Sequence, residues 1–131
     1  MREIKFRVWD KEDKRMRMLR TGHDSLWFGT GEAQYQNLQN GSGGGDYDLM
    51  QFTREKDKTE KEVWEGDIVK AKYCANGMKG RKLIGVVKWS ESHIGWGIEE
   101  HANIYRMSAV PRGSLLVIGN IYENPELLKE D

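Results

Sequence analysis

Three histidines, one cysteine and the carboxylates near them are the natural starting materials for metal binding or nucleophilic catalysis in this chain of 131 residues. His23, His93 and His101 have Asp24, Glu99 and Glu100 close by in sequence. Two imidazoles and a carboxylate suit a transition metal, and Glu99 and His101 share a strand face at period 2. No spacing brings His93 to that face, whereas an HExxH pattern sets two ligands one helical turn apart. The histidines therefore read as surface residues, and no metal is expected. Cys74 is the only thiol and ends a strand-like stretch among lysines, which makes it the one candidate nucleophile. A nucleophile also needs a base and oxyanion donors, and neither is visible, so Cys74 reads as a small buried hydrophobe.

Phosphate cradles fail for want of parts. Gly29-Thr30-Gly31-Glu32-Ala33-Gln34 begins like a dinucleotide loop, but Gln34 stands where the third Gly belongs and no βαβ unit surrounds it. Gly41-Ser42-Gly43-Gly44-Gly45 lacks the Lys and Ser/Thr that close a phosphate loop, and Asp46 and Asp48 follow it. No cofactor is expected, and the chain is read as a non-enzyme.

The basic residues say more. Residues 68–90 hold Lys70, Lys72, Lys79, Arg81, Lys82 and Lys88 and no acidic side chain, whereas residues 91–131 are mainly acidic. A chain of zero net charge, with 21 Lys and Arg against 21 Asp and Glu, can thus hold a basic face and an acidic face. Lys70 and Lys72 fall on one side of their strand, Lys79, Arg81 and Lys82 follow Gly77 in a hairpin loop, and Lys88 precedes Trp89. Together with Tyr73, Trp89 or Trp96 exposed for stacking, that is the make-up of a groove for single-stranded nucleic acid. The plainer alternative is that the lysines guard strand edges against aggregation and the aromatic residues fill the core.

The elements that must carry these side chains are strands. Glu3 to Trp9 alternates, with Ile4, Phe6 and Val8 on one side and Glu3, Lys5 and Arg7 on the other, the pattern of a half-buried strand. A polar turn leads to a return arm in which Met16 and Met18 alternate with arginines. Residues 21–46 are the least patterned, and the Gly-rich loop 40–46 reads as flexible. Further strands are expected over 47–53, 68–73, 83–89, 94–98 and 115–122, with Gly66-Asp67 as the tight turn before the second of them. Asn124-Pro125 predicts a short C-terminal helical turn, with Asn124 as N-cap. The fold expected is mainly β: a small SH3-like barrel over about 62–122 packed with an N-terminal β-hairpin layer, 1–53, in one domain spanning 1–131.

Composition bounds the rest. The hydrophobic fraction is 37%, but five Trp, five Tyr and three Phe supply large core residues. No stretch approaches the roughly 20 apolar residues that cross a bilayer, so no membrane partner is expected. The charged N-terminus and the single cysteine point to a reducing cytoplasm.

Three blocks resemble one family. They are Met1 to Asp10, then Leu49-Met-Gln-Phe-Thr53 running on through Glu62-Val-Trp-Glu-Gly-Asp-Ile-Val69, and Val117-Ile-Gly-Asn-Ile-Tyr-Glu-Asn-Pro-Glu-Leu-Leu128. They closely resemble the YopX family of phage and prophage proteins, the closing block most specifically. That family commonly has Gly after the Phe-Thr pair and an Asn-Gly turn further on, where this chain has Arg54 and Thr59-Glu60. The resemblance implies a β-rich phage or prophage product acting in a bacterial cytoplasm and supplies no catalytic or binding residue. The expectation is a non-enzymatic module that binds a host or phage protein, in homo-oligomeric form through a strand edge. The alternative is a nucleic-acid-binding protein whose contacts are Lys70, Lys72, Tyr73, Lys79, Arg81, Lys82, Lys88 and Trp89.

Overall fold

The computed structural model describes residues 5–11, 14–19, 47–74 and 80–128. The Gly-rich loop 40–46, His23 and Lys79 lie outside them. The protein is mainly β, with two antiparallel sheets, one of them a half-barrel. Its chain divides into two compact units, Met1–Phe52 and Thr53–Asp131.

In the first unit, β1 (Phe6–Asp10) and β2 (Arg15–Leu19) form the expected hairpin, pairing Phe6 with Leu19 and Asp10 with Arg15. The other edge of β1 takes the start of β3 (Tyr47–Lys56), with Phe6 opposite Gln51. Burial does not alternate along β1 as expected, because Arg7, Val8, Trp9 and Asp10 are all buried. β1 is the middle strand of the three, and its polar side chains find partners there: Arg17 reaches Asp10 at 3.1 Å. Lys5 lies over the Phe52 ring, 4.6 Å from its centroid.

In the second unit, β3 runs on past Thr53 and neighbours β4 (Glu62–Trp64). A five-stranded sheet follows, in the order β8-β7-β6-β5-β9, from β5 (Asp67–Tyr73), β6 (Arg81–Ser90), β7 (Gly95–Glu100), β8 (Asn103–Arg106) and β9 (Leu116–Asn120). One face carries the core, where Val69, Ala71, Val87, Ile98 and Val117 meet Val63, Met107 and Leu115. β8 is absent from the sequence reading, because Asn-Ile-Tyr-Arg is too short to show a period. Arg81 and Lys82 open β6 instead of lying in a loop. The C-terminal turn is a single 3-10 turn, Pro125–Leu128. Asn124 holds the N-cap position before it, its carbonyl accepting the Leu127 N–H at 3.1 Å, while its side-chain oxygen accepts the Asn120 N–H at 3.3 Å.

The blocks that carry the family resemblance are spent on the backbone. Thr53 donates its hydroxyl to the Val63 carbonyl at 2.7 Å. Asp67 accepts the Trp64 N–H at 2.7 Å, closing the β4–β5 turn in which Gly66 adopts φ 89°. Asn120 accepts the Tyr122 and Glu123 N–H groups at 3.0 and 2.8 Å and donates to the Glu123 carboxylate at 2.7 Å. Gly119 is needed beside it, because a Cβ there would stand 2.6 Å from the Asn124 side chain.

Candidate functional site

Among the described residues of the second unit, Asp57, in the β3–β4 connection, is a heavily hydrogen-bonded carboxylate. It is fully buried. One oxygen accepts from Thr59 N–H (2.8 Å), Thr59 hydroxyl (2.7 Å) and Lys61 N–H (3.0 Å), and the other from Val117 N–H at 3.0 Å. Burial pushes its carboxyl up, and these hydrogen bonds outweigh that and hold it below the ordinary carboxylate value. All its acceptor capacity goes to the chain's own donors, so Asp57 is a structural anion that ties the 57–61 turn to β9. The two family departures fall in or beside this turn. Arg54 has φ 71° and Glu60 φ 69°, the left-handed conformation that glycine adopts without strain.

The histidine and cysteine candidates do not converge. His93 lies in the β6–β7 turn and His101 in the β7–β8 turn, at opposite ends of β7, while Glu99 pairs with Lys88. Among the described residues, no group of three or more His, Cys, Asp and Glu side chains is placed to hold a metal. Cys74 is exposed, not buried as expected. Its thiol donates to the Lys72 carbonyl at 3.9 Å.

The basic stretch is split between two faces. Lys70, Lys72 and Lys82 are exposed on the outer face of the sheet, with Lys72 directly opposite Lys82. Tyr73 points the other way. It is only 5% exposed and packs edge-on against Tyr105 at 5.0 Å, so it is not the exposed stacking platform the sequence suggested. Arg81 joins that inner group, bonded to Glu100 at 2.9 Å and lying over the Tyr105 ring. Lys88 is tied to Glu99 at 3.2 Å. The expected separation into a basic and an acidic face is therefore incomplete, because β7 brings acids of the C-terminal part onto the basic strand β6.

Trp89 lies on the inner side and is 46% exposed, packed edge-to-face on Trp96 with centroids 5.4 Å apart. Close to this pair opens a cavity of about 370 Å³ lined by Thr53, Glu55, His93, Ile94, Gly95, Trp96, Met107 and Ser108. Ile94, at the tip of the β6–β7 turn, is 81% exposed and has φ 50°. The turn hangs on the buried Ser90, whose Oγ lies 3.2 Å from both Ser92 Oγ and His93 Nδ1 and accepts the His93 N–H at 3.4 Å. Trp96 was a sequence candidate. Glu55, Ile94, Met107 and Ser108 were not, because they come from three separate segments and none stands in a motif.

A family model described as YopX protein matches residues 5–129. A crystal structure of protein EF1440 from Enterococcus faecalis superposes with a TM-score of 0.58 at 27% identity, covering 98% of this chain and 100% of that one. No curated protein matches. No helix among the described residues is long and apolar enough to cross a membrane.

Proposed function

This chain belongs to the YopX family, and on that premise we propose that it is a non-enzymatic phage or prophage accessory protein that works by binding another protein. The contact surface is the cavity beside the β6–β7 turn and its apolar rim. The single observation that carries this reading is Ile94. A β-branched residue in the left-handed region costs backbone energy and buries almost nothing in return, so its side chain is held out at a local cost. Trp89 adds a half-exposed indole, the residue type most often found at binding hot spots. The cavity is the size of a pocket that receives one or two partner side chains.

The test is affinity capture from infected or lysogenic cells with the intact chain, beside Ile94→Asp and Trp89→Ala variants checked for native circular dichroism. A defined protein should be retained by the wild type and lost with either variant. Equal retention by the folded variants, or recovery of nucleic acid and no protein, overturns the reading.

A further inference from the structure

Among the described residues, three lysines on the outer face of the five-stranded sheet are answered by no acid. Lys70 and Lys72 stand two residues apart on β5, about 7 Å along the strand. Lys82 of β6 is the direct partner of Lys72. Like charges directly opposite each other on a sheet are destabilising. The acids on neighbouring β7 are committed elsewhere, Glu99 to Lys88 and Glu100 to both Arg81 and the Ile84 N–H. Among the described residues, no ion pair involves Lys70, Lys72 or Lys82.

Edge protection does not account for all three of them. Lysines guard a strand whose backbone is open to another chain. Lys70 is paired on both sides, to Leu116 of β9 and Ile84 of β6, whereas the β5–β9 pairing ends at Lys70 and the β6–β7 pairing begins only at Val86. Lys70 therefore does not protect unpaired backbone. Between the three lysines lies one apolar side chain, Ile84, directly opposite Lys70 and 42% exposed.

We infer that this face binds single-stranded nucleic acid, with phosphates on Lys70, Lys72 and Lys82 and a base lying on Ile84. A single strand offers charged phosphates and flat apolar base faces side by side, and this face offers cations around an apolar patch. A duplex keeps its base faces stacked inside, and an acidic protein segment carries charge without them. Tyr73 and Trp89 lie on the other side of the sheet, so binding is moderate and tolerant of sequence. The surface is separate from the cavity and does not depend on the protein-binding reading.

The test uses the intact chain and a labelled single-stranded oligonucleotide of mixed sequence, titrated by fluorescence anisotropy at several salt concentrations. Three phosphate contacts predict a log–log slope of about −2 against salt, falling to about −1.4 in Lys72→Gln or Lys82→Gln. These variants relieve the like-charge pair, so their melting temperature holds or rises while binding falls, which a merely structural role would not produce. Lys58→Gln, an exposed lysine of the 57–61 turn, should leave both slope and affinity unchanged. The inference is overturned by no saturable binding at low salt, by a slope indifferent to Lys72 and Lys82, by duplex bound as tightly as single strand, or by poly-glutamate of matched charge competing equally.

Discussion

The two turns of the second unit that lead into and out of its sheets make opposite use of their residues. In the 57–61 turn every acceptor of Asp57 is matched to a donor, and a backbone bond from Lys58 N–H to the Leu115 carbonyl at 2.9 Å adds to the closure. In the 91–94 turn, Ser90 organises the backbone from below while Ile94 is left facing solvent in an unfavourable conformation. The first turn stabilises the fold and offers a partner nothing. The second gives up some stability and presents apolar surface. The residues that bond only within the chain belong to the first kind, and those best placed to bind a partner belong to the second.

The largest test of this contrast removes Asp57. Asp57→Ala leaves three backbone N–H groups and a hydroxyl without their acceptor, and the expected loss is about 3 to 5 kcal/mol in urea unfolding. A loss under about 1 kcal/mol would mean that water replaces the carboxylate and that the turn is not an anchor. The same carboxylate sets a pH dependence. Its folded pKa is depressed, so its contribution is fully present above the unfolded value, about 3.9, and is lost as pH falls through the lower folded value. The unfolding midpoint of the wild type should thus decline below about pH 4 more steeply than that of Asp57→Asn. Parallel declines would remove Asp57 as the cause.

A smaller effect of opposite sign is expected at the other turn. Ile94→Gly relieves a β-branched residue at φ 50°, and it should stabilise the protein by about 1 kcal/mol after the added freedom of the unfolded chain is discounted. Partner capture should weaken in the same variant. Destabilisation would show that Ile94 serves packing, and the contrast between the turns would fail. The smallest change concerns the two family departures. Arg54→Gly and Glu60→Gly should each raise stability by about 0.5 kcal/mol, seen as a small upward shift in melting temperature. A fall at either site would mean that the side chain contributes more than its strained backbone costs.

Much of the fold was legible because β structure writes itself into alternation. The hairpin of β1 and β2, the turn at Gly66-Asp67, and β5, β6 and β7 to within a few residues all follow from period 2 and from turn residues. β8 was not legible, being four residues long, and neither was the burial of Arg7 and Asp10, which depends on β1 being flanked on both edges. Asp57 looked like one more charge in a charged stretch. Its role depends on Val117, sixty positions away.

The candidate sites divide along the same line. Period 2 alone determines that Lys70 and Lys72 share a side and that Tyr73 takes the other, because successive side chains of a strand point to opposite faces. It does not determine which strand lies alongside, or in what register. Tertiary pairing decided that Lys82 faces Lys72, that Arg81 meets Glu100 and Lys88 meets Glu99, and that Glu55, Ile94, Trp96 and Met107 line one cavity. Those contacts depend on hydrogen-bond register between segments far apart in the chain, and no local pattern encodes that register.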